Sequence, residues 1–86
     1  MGEAEFIKLC KEEVCKYINN HKDSYEKNIT LDSLYIVWLC KTLQNNKALI
    51  SSSLPDGMYY ECTYNGDKNE MYLDAYKKWE NKLIKL

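Results

Sequence analysis

The sequence predicts an α+β fold, with an N-terminal helix packed on an antiparallel sheet of about four strands built from two hairpins. Residues 4 to 19 space Phe6, Ile7, Cys10, Val14, Tyr17 and Ile18 three and four apart, the repeat of a helix with one apolar face. Beyond residue 34, two apolar stretches are each folded back by turn-forming residues, the pattern of paired strands. With 86 residues the chain is one domain. Such a domain buries only about 60 to 65% of its unfolded surface, so its core is marginal and oligomerisation is a common remedy.

Along the helix, Glu3, Glu5, Glu12 and Glu13 lie toward the N-terminal half and Lys16 near the end, a loose match to the helix dipole because Lys8 and Lys11 are interspersed. Asn19 and Asn20 are suitable stop residues. His21 then heads a polar connector, HKDSYEKN. With no second ligand or nucleophile near it in sequence, that histidine reads as solvated rather than catalytic. Thr30, followed by Asp32 and Ser33, is placed to cap a short helical turn.

Residues 34 to 43, LYIVWLCKTL, are apolar without interruption through Cys40, as a buried helix or a doubly covered strand would be. Their β-branched and aromatic content favours the strand. A turn centred on Asn45-Asn46 would bring residues 47 to 53, KALISSS, back alongside. That register sets Leu39 opposite Ser52, Lys41 opposite Ile50 and Leu43 opposite Ala48, with Trp38 and Cys40 on the other face. A strand apolar on both faces needs two covering layers, and the helix supplies one. The other is expected from the C-terminal segment or from a second subunit. Leu54-Pro55-Asp56-Gly57 has marked turn chemistry and leads into the second hairpin.

Residues 58 to 76, MYYECTYNGDKNEMYLDAY, form that hairpin and carry five of the eight tyrosines. A two-residue turn on Asn65-Gly66 or on Gly66-Asp67 puts Met58, Tyr60, Cys62 and Tyr64 on one face with Met71, Leu73 and Ala75. Tyr59, Glu61 and Thr63 fall on the opposite face with Glu70, Tyr72, Asp74 and Tyr76. Residues 77 to 86 read as a short helix or a final edge strand.

Composition narrows the function classes. The formal charge is -1 and every basic residue is lysine, so the footprint of a nucleic-acid binder is absent, as is the bidentate fork of arginine. An AT-rich coding sequence produces the same bias. No nucleic acid and no membrane is expected as a partner, because the N-terminus is charged and no long apolar run follows. Phe6 also stands where a myristoylation motif after Gly2 wants Ser or Thr. The expected location is the cytosol. Cys10, Cys15, Cys40 and Cys62 show no metal-ligand spacing and read as reduced, small buried hydrophobes. Without a Cys-His signature, a Gly-rich phosphate loop or a metal constellation, the chain is not expected to be an enzyme or to hold a cofactor or metal.

Binding chemistry gathers on the mixed hairpin face. The phenols of Tyr59, Tyr72 and Tyr76 suit stacking on a base or hydrogen bonding to a ribose, and each stacked base contributes about 1 to 3 kcal/mol. They equally suit the core of a protein interface. Glu61, Glu70 and Asp74 repel phosphate, so a nucleotide would need lysines from elsewhere. Lys41 and Lys47 flank the Asn45-Asn46 turn, and Lys77 and Lys78 follow Tyr76. In a homodimer these clusters can meet across the symmetry axis. Trp38 completes the candidate ligand-binding set of Tyr59, Tyr72, Tyr76, Lys41, Asn45, Lys47 and Lys77; its loss, like that of Tyr60, is also expected to damage the fold.

Two segments, VWLCKTLQNNKALIS from Val37 to Ser51 and PDGMYYECTYNGDKNEMYLDAYKKWEN from Pro55 to Asn81, resemble a family of small uncharacterised proteins of phages and prophages of Gram-positive bacteria. The resemblance implies a phage accessory protein of the bacterial cytosol, and proteins of that kind often counteract host defence. It carries over no catalytic residue. The expected function is therefore non-catalytic sequestration of a nucleotide-derived small molecule by a homo-oligomer. The alternative is an interaction module that inhibits a host or defence protein.

Overall fold

A computed structural model describes every residue except 24 and 25, so the middle of the polar connector lies outside the described residues. The order of elements is α1 (Glu3–His21), a 3-10 turn (Leu31–Ser33), β1 (Leu34–Thr42), β2 (Asn45–Ser52), β3 (Met58–Asn65) and β4 (Glu70–Lys77). The four strands form one antiparallel sheet in the order β1-β2-β3-β4, and the expected α+β architecture is the one observed. At 19 Å along its shortest axis, the protein is one helix layer on one sheet.

α1 buries the stripe Phe6, Cys10, Val14 and Ile18, whose spacing returns to one side every turn. That stripe meets Leu34, Ala48, Ile50, Tyr60, Cys62 and Tyr64 on the sheet, and the helix sits chiefly over β2. Each fully buried apolar side chain there contributes roughly 1.5 to 3 kcal/mol. Asn19 does not stop the helix. Its amide instead grips the far end of the connector, accepting from the Ile29 N–H at 2.9 Å and donating to the Ile29 carbonyl at 3.2 Å. The 3-10 turn forms as expected, yet Thr30 makes no side-chain cap to it.

Both hairpins keep the predicted faces while moving their turns. The β1–β2 turn is at Leu43-Gln44, with Leu43 at φ 55°, and Leu39 pairs with Ala48 and Lys41 with Asn46. Asn45 and Asn46 belong to β2, because Asn46 is buried and its strand pairs on both sides. Tightening the hairpin this way slides each strand by two residues, a shift that leaves every side chain on its original face.

The β3–β4 loop is four residues long rather than two, since Asn65 pairs with Glu70, and Tyr60, Cys62 and Tyr64 still share a face with Ala75, Leu73 and Met71. Here the positive φ falls on Asn69, at 51°, and not on Gly66. The Tyr64 hydroxyl donates to Asn69 Oδ1 at 2.9 Å, and Asn65 Oδ1 accepts from the Asp67 N–H at 3.0 Å, which fixes the longer loop. Gly66 matters for another reason. A Cβ at that position would overlap the Gln44 carbonyl oxygen of the neighbouring turn. The two loops are also tied by Gln44 Nε2 donating to Asp67 Oδ1 and by the Gly66 N–H donating to Asn45 Oδ1 at 3.0 Å.

β1 resolves the uninterrupted apolar run through a bulge. Ile36 pairs with Ile50 and Trp38 with Leu49, so Val37 is an extra residue and the in-out alternation inverts across it. Leu34, Ile36 and Leu39 thereby turn toward the helix, while Tyr35, Trp38 and Cys40 turn away. Residues 78 to 86 are neither the short helix nor the edge strand expected. β4 continues through Lys77, the Lys78 N–H donates to the Gly57 carbonyl at 2.8 Å, and the chain beyond has no regular structure. The turn at residues 54 to 57 is as expected, with Gly57 at φ 70°.

The cysteines divide. Cys10 and Cys62 are buried in contact, Cys15 is half-buried and Cys40 is exposed, so only the first pair fits the buried-hydrophobe expectation fully. The hydrogen bond with Cys62, reinforced by burial, pushes the Cys10 thiol above its ordinary range. Burial, then the nearby Asp56 and Tyr17, pushes the Tyr60 phenol up as well.

The Cys10–Cys62 bond holds the Cys62 thiol below its ordinary range, so the two thiols oppose each other in any pH dependence of stability. For the Tyr60 phenol the fold holds the neutral form, and the unfolded chain ionises first, at about pH 10, so its stabilising effect is complete below that value and lost as pH rises through the folded one. Urea titrations across pH should give an unfolding free energy whose decline with pH steepens above about 10. Tyr60→Phe should remove that steepening. Gly66→Ala should lower stability by about 1 to 3 kcal/mol in the same assay, because backbone must move to admit the methyl group.

Candidate functional site

The sheet has a second face that no element of the described residues covers. Strand pairing arranges its side chains in three rows: Tyr35, Ser51, Tyr59 and Tyr76; then Trp38, Leu49, Glu61 and Asp74; then Cys40, Lys47, Thr63 and Tyr72. Alternation explains the placement, because the helix-facing partners of each strand take the intervening positions. Large aromatics remain half in solvent there, with Tyr35 50%, Trp38 39%, Tyr72 57% and Tyr76 53% exposed.

A shallow trough of about 400 Å³ crosses this face where β3 begins and β4 ends, lined by Trp38, Leu49, Tyr59, Glu61, Tyr76, Lys77 and Lys78. Its floor is aromatic and aliphatic. Glu61 lies half-buried and pairs with Lys47 Nζ at 3.4 Å, so the carboxylate facing the trough is partly neutralised by a neighbour on the same face. Screening at this partly exposed pair keeps its contribution small, of order 0 to 1 kcal/mol. The arrangement can bind a flat ring against apolar walls and place a cation at its edge. It presents no nucleophile activated by a base.

The candidate residues separate accordingly. Trp38, Tyr59 and Tyr76 converge on the trough, and Lys77 borders its end although it pairs with Met58 and so has the helix-side parity. Tyr72 shares the face but lies four residues from Tyr76 along β4, roughly 13 Å away. Its hydroxyl donates to Glu70 Oε2 at 3.1 Å, and that bond pushes the phenol up. Lys47 is engaged by Glu61. Asn45 Oδ1 is used by the Gly66 N–H, and Lys41 has the helix-side parity, its Nζ donating to the Met1 carbonyl at 3.3 Å. Lys41 and Lys47 flank a turn at Leu43-Gln44 rather than at Asn45-Asn46, and they do so from opposite faces of the sheet. Leu49 and Tyr35 were not among the candidates; alternation from Ala48 and Ile50 reveals Leu49, whereas Tyr35 emerges only through the bulge.

A second cleft of about 370 Å³, at the opposite side of the sheet, is lined among others by Tyr17, His21, Asp56 and Tyr60. His21 stacks on Tyr17 with ring centroids 4.0 Å apart, and its Nδ1 lies 2.7 Å from the Tyr17 carbonyl. A carbonyl only accepts, so Nδ1 carries the proton. The exposed histidine is thus held by its own helix, consistent with the solvated reading. Among the described residues no group of three or more His, Cys, Asp or Glu side chains is placed to hold a metal ion. No helix of the described residues is long and apolar enough to cross a membrane.

Residues 7–86 match the model of a family described as "Family of unknown function (DUF6275)". No curated protein and no solved structure matches the chain.

Trp38 is no fold determinant on this geometry, in contrast to Tyr60, which is 3% exposed. In dilute protein, Trp38→Ala and Tyr72→Ala should each lower the unfolding free energy by about 1 kcal/mol or less. Tyr60→Ala should cost about 3 to 5 kcal/mol. Chemical denaturation of the three variants checks the contrast.

Proposed function

Since the chain belongs to the DUF6275 family, whose description names no function, we propose from the geometry that it is a non-catalytic binding protein that sequesters a nucleotide-like small molecule as a homo-oligomer. The observation that carries this reading is the trough, which is lined by the aromatic side chains of Trp38, Tyr59 and Tyr76 and bordered by Lys77 and Lys78. A base stacks on the aromatic surface whatever its identity, because every base has a π-face. The two lysines supply the positive charge that Glu61, Glu70 and Asp74 deny to the rest of the face. Lys41, Asn45 and Lys47, occupied elsewhere, have no direct part. The resemblance to phage and prophage proteins adds the biological setting, an accessory protein of a bacterial host's cytosol that removes a nucleotide-derived defence signal.

A second reading is supported by the extent of the surface. Aromatic side chains continue beyond the trough to Tyr35 and Tyr72, more area than one nucleotide covers, which favours a protein partner such as a host or defence protein. Native mass spectrometry of protein purified from cells, followed by thermal shifts against a nucleotide panel, separates the two. The sequestration reading expects a retained small molecule and a raised melting temperature with at least one nucleotide. Trp38→Ala or Tyr76→Ala should weaken that binding by about 1 to 3 kcal/mol for a lost stack. Replacing Lys77 and Lys78 together by Gln should reduce affinity and flatten its salt dependence. A panel without a single shift rejects sequestration and leaves the protein partner.

A further inference from the structure

We propose that residues 78–86 are an arm that docks on the open sheet face of a second copy of this chain. The proposal extends the homo-oligomer of the preceding reading and rests on that part of it alone. Beyond Lys78 the chain carries Trp79, Leu83, Ile84 and Leu86, with Trp79 99% and Leu83 82% exposed. Four large apolar side chains within eight residues stand in water without a surface to cover them. Across the sheet, an apolar and aromatic face stands equally bare.

The total surface shows the same mismatch. A folded chain of 10.2 kDa exposes about 5,300 Å² on average, whereas this one exposes 6517 Å², an excess on the order of 1,200 Å². Its radius of gyration is 14.3 Å, against about 12 Å for a compact chain of this length. Two copies together therefore carry more surplus surface than the roughly 1,200 to 2,000 Å² that a specific interface buries.

Charge and reach specify the occupant. The arm holds Lys78, Lys82 and Lys85 against the single Glu80, while the open face holds Glu61, Glu70 and Asp74 against Lys47. Basic arm and acidic face complement each other. Eight extended residues span up to about 26 Å, and four strands measure roughly 14 Å from first to last, so the arm can cross the whole face. In the single chain it does not lie on its own sheet: Lys78 is the last residue paired, through its N–H to the Gly57 carbonyl, and Trp79, Leu83 and Ile84 stand exposed beyond it. A two-fold exchange, each arm on the other copy's face, closes the assembly and uses the same surfaces twice.

Sedimentation equilibrium of the ligand-free protein should give twice the 10.2 kDa of one chain, or a larger even multiple. The full-length variant W79S/L83S/I84S alters side chains exposed in the single chain, so its circular dichroism should be unchanged while its mass falls to that of one copy. A photo-crosslinker placed at position 79 in a mixture of ¹⁴N- and ¹⁵N-labelled protein should join unlike chains, at peptides containing Trp38, Leu49, Tyr59 or Tyr76. A monomeric parent protein, a variant that keeps the parent mass, or crosslinks confined to one label would each overturn the proposal. The arm would share the trough with a nucleotide, so these readouts are taken on ligand-free protein; loss of the arm shows in mass and crosslinks, loss of the ligand reading in the nucleotide panel, and the two are told apart.

Discussion

One helix can cover only one face of a four-stranded sheet, and the rest of this structure follows from that constraint. The stripe of Phe6, Cys10, Val14 and Ile18 lies over β2 and dries the row from Leu34 through Ile50, Tyr60 and Cys62. Apolar area removed from water is the main favourable term in so small a domain. Side chains of the opposite parity, from Tyr35 to Tyr76, are left to solvent although many are apolar. Among the described residues one helix thus covers one face of a sheet that has two.

The uncovered face is held rigid from beneath and from its ends. The bulge at Val37 reverses the alternation of an edge strand, and this brings Trp38 to the same row as Leu49 and Glu61. Two interlocked loops, joined through Gln44, Asn45, Gly66 and Asp67, fix the relative position of the hairpins at one end. At the other, Gly57 and Lys78 extend the pairing of β3 and β4 past the last residues of the strands. The trough lies near that second end, between strands joined by backbone hydrogen bonds.

Charge on the face sorts the candidate partners. Carboxylates at residues 61 and 74 in the middle row and at residue 70 by the loop make the face unsuitable for phosphate, while lysines gather where the chain leaves the sheet. Aromatic surface with acid at its centre and base at its margin accepts a ring plus a peripheral anion, or a basic apolar segment of protein. The arm from residue 78 onward is a segment of the second kind within the same chain.

Much of the fold was legible because face and period are properties of the sequence. The three-to-four spacing of α1 and the alternation of β3 and β4 name the buried side chains without knowledge of the turns. Side-chain sidedness survived even though both turns moved, because each displacement was an even number of residues. What the sequence by itself determined is thus the α+β class and which tyrosines of the second hairpin are core and which are not. Only the tertiary structure decided the rest. Turn positions depend on a buried Asn46 and on a hydrogen bond between loops 21 residues apart, and the side of Trp38 and Tyr35 depends on a bulge. Lys41, Asn45 and Lys47 looked available until the fold gave each a partner, and the tail read as helix or strand from its apolar spacing although no element of the described residues covers it. These are contacts between residues distant in sequence, and local pattern carries no record of them.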